Sequence, residues 1–249
     1  MNIKRMRVFA GPNGSGKTTI IEDLRKKNLF HFNVYINADD IEKLIRNNRS
    51  LDLAEYQIKS DTKEIRSYFR KSKFSQTILN DPNVYEMINI QDNTVYFNLQ
   101  PDTKDKYYSY IAADIASFIR KKLFEGNKSF SFETVMSHNS KIELMKKAKE
   151  KGYRVYLYYV STEAPEININ RVEIRKAQDG HNVPEKKIKD RYKRSLNNLK
   201  SAVLHTYRSY IFDNSGEVSK LVAEINKGEG KIIDPENTPN WVIKYLLNN

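Results

Sequence analysis

Residues Gly11-Pro12-Asn13-Gly14-Ser15-Gly16-Lys17-Thr18 match the pattern G-x-x-x-x-G-K-[ST] at every fixed position. They stand between a short apolar run, Arg7-Val8-Phe9-Ala10, and a segment from Thr18 to Lys27 that puts Ile20, Ile21 and Leu24 on one helical face. The pattern constrains the fold strongly, because such a loop works only between a buried strand and the N-terminus of a helix. Its glycines let successive N–H groups turn inward around phosphate oxygens. The helix adds the positive end of its dipole. Lys17 can reach the terminal phosphates, and Thr18 can offer its hydroxyl to Mg²⁺. Gly11, Pro12, Asn13, Gly14, Ser15, Gly16, Lys17, Thr18 and Thr19 are therefore expected to hold ATP or GTP.

The rest of the chain alternates strand-like and helix-like segments. Val34-Tyr35-Ile36 reads as a second strand, followed by a helix carrying Ile41, Leu44 and Ile45, with Asp39 and Asp40 where its cap belongs. Ser129 to Phe132, Val155 to Val160 and Tyr210 to Phe212 complete five core strands. Helices are expected around Ile111 to Leu123, from Ser140 to Lys151, from Pro165 to Gln178, from Pro184 to His205 and from Val218 to Ile225. The fold class is therefore α/β: a P-loop kinase-like, mainly parallel five-stranded sheet with helices on both faces. Ligands in such sheets bind at the carboxyl ends of the strands. The turn after Ala10, Asp39 and Glu133 all fall there.

One domain over 1–249 is expected. Within it, the segment 50–105 reads as an insertion beside the acceptor site, with a helix over Leu53 to Phe69 and a β-hairpin of Tyr85 to Ile90 with Thr94 to Leu99. The stretch 165–205 is expected to be a helical lid. The tail 227–249, with the single tryptophan Trp241, is expected to pack on the core.

Composition narrows the chemistry. The chain has no cysteine, which excludes disulfides, thiolate metal sites and cysteine nucleophiles. No apolar run approaches the ~18 residues of a membrane span, and no signal peptide is visible, so a cytoplasmic protein without membrane contact is expected. The net charge of +12 is concentrated: Lys141 to Arg208 holds seventeen Lys and Arg against eight Asp and Glu. That suits a phosphate-bearing ligand, and it suits a solvated lysine-rich face equally well. The loop alone also opens transporter-type and recombination ATPases. Those need a Leu-Ser-Gly-Gly-Gln segment and an aliphatic run ending in Asp-Glu, and neither occurs here. A kinase of small substrates is the better reading.

Such a kinase needs a carboxylate at the acceptor hydroxyl and cations on the moving phosphoryl group. Asp39 is the candidate carboxylate, although its position also suits helix capping. Glu133 ends a Phe-Ser-Phe strand, where burial demands a cation, a metal or a hydroxyl. Arg171 and Arg175 project from one helical face beside the glycine-containing loop at Gly180, and surface ion pairing is their other reading. Arg191 and Arg194 follow in the next helix and can clamp as well. His181 reads as a loop residue, and the four histidines show no metal-ligand spacing, so Thr18 is the one expected protein ligand of Mg²⁺. Asn214, after the fifth strand, is a candidate contact to the nucleotide, and an ordinary Asx turn into the next helix is the other reading of Asp213-Asn214-Ser215.

Together the segments resemble the zeta toxin family of P-loop kinases, in its stand-alone, zeta-like branch. The carriers are Gly11 to Thr19, Ile36-Asn37-Ala38-Asp39, Ser131-Phe132-Glu133-Thr134-Val135-Met136-Ser137, Gly152-Tyr153-Arg154-Val155 and Asn170-Arg171-Val172 with Arg175. Gly180-His181-Asn182-Val183-Pro184, Arg191 to Leu196 and Asp213-Asn214-Ser215 complete the set. The resemblance implies an ATP- or GTP-dependent kinase that phosphorylates the sugar 3′-hydroxyl of UDP-N-acetylglucosamine. On that analogy Asp39 is the general base, Lys17 steadies the phosphates, Glu133 places the substrate or metal shell, and Arg171 with Arg175 stabilises the transferring group. It also implies a toxin–antitoxin pairing with a small helical antitoxin. The 50–105 segment is longer than the family pattern expects, which bears most on the acceptor. Other readings are a polynucleotide or nucleoside kinase, with nucleic acid as partner, and a nucleotide-dependent regulatory protein with weak hydrolysis.

Overall fold

The computed structural model describes residues 3–72, 86–99, 105–177, 183–226 and 229–248. From the N-terminus run β1 (Arg5–Ala10), α1 (Lys17–Lys26), β2 (Val34–Ile36), α2 (Ala38–Asn48), β3 (Ser50–Asp52) and α3 (Thr62–Lys71). Next come β4 (Ile88–Gln91), β5 (Thr94–Phe97), α4 (Asp105–Glu125), β6 (Phe130–Thr134), α5 (Ser140–Glu150) and β7 (Arg154–Ser161). The remainder comprises α6 (Pro165–Ala177), α7 (Glu185–Asn197), α8 (Leu199–Leu204), β8 (Arg208–Asp213), β9 (Lys220–Asn226), β10 (Glu229–Ile232), α9 (Asn240–Val242) and a closing π-turn over Ile243–Leu247. The chain divides into two compact units, Met1–Phe32 with Ser131–Asn249, and Asn33–Phe130.

In the first unit the strands lie in the order β10-β9-β8-β7-β1-β6. β1 and β7 pair in parallel from Arg5↔Arg154 to Ala10↔Tyr159, and β7 and β8 from Tyr156↔Arg208 to Ser161↔Asp213. This register brings the carboxyl ends of the three strands level, so the loops that follow them share one edge. Val8, Val155, Leu157, Tyr159 and Ile211 are fully buried. The tail adds Trp241, Val242 and Leu246 to the buried set, with the Trp241 ring 6.1 Å from that of Tyr159.

The other residues of these strands form an aromatic layer. Phe9 stacks on Phe32 and Tyr158, and Tyr158 stacks on Tyr210. Arg7 lies among them, 4.3 Å over Phe30 and only 6% exposed, and burial lowers its pKa. Its Nε and Nη1 have no hydrogen-bond partner among the described residues. A buried cation without a carboxylate keeps much of its desolvation cost. Arg7→Met, which fills the same space, is expected to hold stability within ~1 kcal/mol or raise it, whereas Arg7→Ala should lower it by ~2 kcal/mol or more. Thermal melts of the two variants check this.

The five expected core strands all form, and the mainly parallel α/β class holds. One expected helix does not. The spacing predicts a helix over Val218 to Ile225, but Lys220–Asn226 is β9, antiparallel to β8 and hairpinned with β10. A short apolar run is ambiguous by periodicity alone, and here the open edge of β8 decides it. The long helix over Pro184 to His205 breaks at Asn198 into α7 and α8. His181 and the joining residues 179–182 lie outside the described residues.

In the second unit, β3, β5 and β4 form a separate antiparallel sheet. The expected hairpin is present over its described part. Asp92 (φ 49°) and Asn93 (φ 62°) make the two-residue turn with positive φ at both positions that matches strand twist. The reading start Tyr85 lies outside the described residues. The helix expected from Leu53 instead begins at Thr62, capped by the Asp61 carboxylate accepting from the Glu64 N–H. Before it, the Asp52 carboxylate accepts from the Ala54 N–H, and Gln57 adopts φ 55°, so the chain turns there. Ile111, Ile115, Phe118, Ile119 and Leu123 of α4 are fully buried, and α2 packs along that helix.

Candidate active site

The phosphate loop leaves β1 at Ala10. Gly11, Gly14 and Gly16 all have positive φ (146°, 73° and 91°), and α1 starts at Lys17. The Gly11 N–H donates to the Thr134 carbonyl at 3.2 Å, which ties the loop to the end of β6 beside Glu133. The Lys17 ammonium donates to the carbonyls of Gly11 (3.0 Å) and Pro12 (2.9 Å), bending back across the loop's mouth. Ser15 is fully buried and its Oγ has no hydrogen-bond partner among the described residues. An orphaned buried hydroxyl is costly. Together with the glycine backbone and the inward lysine, it suits a site made to receive an anionic group. The residues present fit a nucleoside triphosphate.

Thr18 and Thr19 are exposed on the first turn of α1. Among the described residues no group of three or more His, Asp or Glu side chains is gathered as metal ligands.

The loops after β7 and β8 close around this one. Asn168, fully buried on α6, donates from Nδ2 to the Asn13 carbonyl at 2.7 Å, and its Oδ1 accepts from the Thr162 hydroxyl. Asn214, 8% exposed, donates from Nδ2 to the Ser15 carbonyl at 2.9 Å. The expected nucleotide contact therefore has its amide on the phosphate loop. Arg171 is half-buried and donates to the carbonyls of Asn214 (2.7 Å) and Gly216 (3.3 Å). Arg175, one turn farther on, is exposed. Arg191 reaches the Asn13 side chain at 3.4 Å, so a cation of α7 also borders the loop.

α7 is held firmly in place. Tyr192 donates to the Thr162 carbonyl (2.6 Å), Ser195 to the Val135 carbonyl (2.6 Å), and Asn198, just beyond, to that of Met136 (2.9 Å). Burial raises the pKa of Tyr192 above the ordinary phenol range and keeps it a donor. Ile169 and Val172 of α6 meet Ile188 of α7 in a small apolar cluster with Val183. Lys187, beside Arg191, has its pKa lowered by burial and by that neighbour.

Two carboxylates complete the expected set. Glu133 is half-buried near the end of β6. Asp39 belongs to the second unit, in the first turn of α2. The cap there is Asn37, whose Oδ1 accepts from the Asp39 N–H at 2.9 Å. This corrects the expectation that Asp39 or Asp40 caps the helix. A capping side chain must precede the first turn, so the Asp39 carboxylate stays exposed and outside the cap.

Asn168 is not among the residues the sequence marks, whereas Arg191 is, as a further cation able to clamp. Asn168 stands three residues before Arg171, a spacing that places both on one face of α6. That was the signal available.

Comparison with known proteins adds the following. The Zeta toxin family model matches residues 93–223, just over half the chain. The fold is similar to that of the PezAT chromosomal toxin–antitoxin system of Streptococcus pneumoniae, with TM-score 0.56 and 14% identity over 100% of this chain and 80% of that one. It is also similar to AvrRxo1-ORF1:-ORF2 solved with ATP, with TM-score 0.55 and 13% identity over 94% of this chain. The match spans 62% of that structure's chain. An uncharacterized Haemophilus influenzae protein is 41% identical over 63 residues, 25% of this chain and 45% of its own length. No helix of the described residues is long and apolar enough to cross a membrane.

Proposed function

This chain belongs to the zeta toxin family, and from that premise we propose that it is a nucleotide-dependent phosphotransferase acting on a hydroxyl of a small nucleotide-sugar such as UDP-N-acetylglucosamine. The observation that carries the reading is the loop of Gly11 to Thr18, with its inward lysine and the buried, unpartnered Ser15 hydroxyl at the carboxyl edge of a parallel sheet.

In this reading the acceptor oxygen attacks the γ-phosphorus of ATP or GTP. The bond to the β–γ bridging oxygen breaks, the nucleoside diphosphate leaves, and the hydroxyl proton passes to the Asp39 carboxylate. Lys17 turns from the Gly11 and Pro12 carbonyls to the phosphate oxygens. Arg171 and Arg175 neutralise the charge spread over the moving group, which requires Arg171 to exchange the carbonyls of Asn214 and Gly216 for phosphate. Glu133 orients the acceptor or the water around the metal. Thr18 would hold a Mg²⁺ brought by the nucleotide, and that ion would supply positive charge to the phosphate oxygens. A small helical antitoxin is the proposed protein partner, and the cytoplasm the proposed compartment.

The test is incubation with γ-labelled ATP or GTP, Mg²⁺ and a panel of UDP-sugars, nucleosides and oligonucleotide ends. Label on a sugar hydroxyl, located by mass spectrometry, is the expected result. Label on an oligonucleotide end would instead make this a polynucleotide kinase. Hydrolysis with no labelled acceptor in the panel would reject this acceptor class.

A further inference from the structure

Two backbone carbonyls of the phosphate loop are held by side chains far away in sequence. Asn168 holds that of Asn13 and Asn214 holds that of Ser15, across 155 and 199 residues. Both asparagines are buried and both donors are used. We propose that Asn168 and Asn214 are positioning residues that set the shape of the loop before nucleotide arrives. The proposal rests on the reading above that the loop holds nucleotide.

The geometry explains the direction of the effect. A carbonyl turned outward to an amide donor leaves the N–H of the same trans peptide, carried by the next residue, turned the other way, toward the loop's hollow. Pinning the Asn13 and Ser15 carbonyls therefore commits the amides of Gly14 and Gly16 to the hollow, where an anion needs them. It also explains the glycines themselves. A Cβ on Gly14 would stand 2.4 Å from the backbone carbonyl oxygen of Asn168, and one on Gly16 2.0 Å from the side-chain amide nitrogen of Asn214. The clamps approach so closely that only glycine fits beneath them.

Each clamp is itself braced. The Asn168 Oδ1 is fixed by Thr162. The Asn214 N–H donates to the Ser161 carbonyl at 2.8 Å. Its neighbour Asp213 accepts from Trp241 Nε1 and from the Ser215 hydroxyl, each at 2.8 Å, and Ser215 in turn accepts from the Glu163 N–H. The C-terminal segment thus reaches the phosphate loop through four residues, Trp241, Asp213, Asn214 and Ser15. Preorganisation of this kind acts on binding, because an unclamped loop must be ordered by the nucleotide itself.

The test compares the full chain with Asn168→Ala and Asn214→Ala. Nucleotide affinity is titrated by the fluorescence of Trp241, the one tryptophan, or calorimetrically with MgATP, alongside steady-state kinetics. Each variant is expected to weaken nucleotide binding ~10-fold and to raise the KM for nucleotide alike, with the KM for acceptor unmoved. A merely structural role would lower only the fraction of folded enzyme, leaving both KM values at the wild-type level, and that result overturns the proposal. Where Asn214→Ala does not fold, Asn168→Ala carries the same test through its separate carbonyl. Wild-type affinity in the folded variants overturns the clamp alone. Absence of nucleotide binding by the wild type overturns the functional reading and the clamp with it.

Discussion

Asp39→Asn is expected to lower phosphoryl transfer ~10²–10⁴-fold, the range a positioned general base contributes, while leaving nucleotide affinity within about twofold. The substitution keeps the side chain's shape and removes only its capacity to take a proton. Its cost to the fold is small, because the cap of α2 is made by the Asn37 side chain and the Asp39 carboxylate is exposed. A loss of transfer with the fold intact therefore reads as chemistry. Equal transfer by wild type and variant, measured with saturating acceptor, would remove Asp39 from the mechanism. Asp40→Asn is the internal comparison, with the same charge change one residue along the helix.

Gly11→Ala is expected to abolish nucleotide binding at accessible concentrations, a loss of at least ~100-fold. Two effects combine. Gly11 holds φ 146°, which a residue with a Cβ reaches only at ~1–3 kcal/mol. The added Cβ would also stand 2.0 Å from the Val160 carbonyl oxygen, inside β7, and strand backbone has little room to give. The loop must then swing away from β7, losing the bond from its N–H to Thr134 and the lysine contacts it organises. Gly152→Ala separates backbone strain from this collision. That glycine also has positive φ, 82°, but a Cβ there meets nothing within 4 Å. It should cost ~1–2 kcal/mol of stability and leave nucleotide binding unchanged. Equal nucleotide affinity in the Gly11 and Gly152 variants would show that the close packing of loop against β7 does not matter for binding.

How far the site could be read from the residues varied with the range of the interactions involved. The phosphate loop was fully legible, because its requirements are local: three glycines at fixed spacing, a strand before, a helix after. The hairpin of the second unit was legible for the same reason, since Asp92-Asn93 satisfies the two left-handed positions its turn demands. Arg171 is marked by its place on the helix before Gly180, but its partners, the carbonyls of Asn214 and Gly216, lie more than forty residues on. Asn168 passed unnoticed. A single buried asparagine in a helix leaves no periodic trace, and its significance lies wholly in a carbonyl contributed by the other end of the chain. Asp39 was ambiguous between cap and base until the structure gave the cap to Asn37, a shift of two residues that helix-boundary reasoning does not resolve.

Sequence alone determined the α/β class, the glycine-rich turn between strand and helix, and where along the chain the core strands fall, because glycine spacing and hydrophobic periodicity act through near neighbours along the chain. Tertiary structure alone decided that Lys220–Asn226 is a strand, and that Asn168 and Asn214 grip the phosphate loop. The physical reason is the same in both cases. An open strand edge or an unpaired backbone carbonyl selects its partner by proximity in the folded molecule, and a hydrogen bond formed across 199 residues imposes no spacing that the sequence could display.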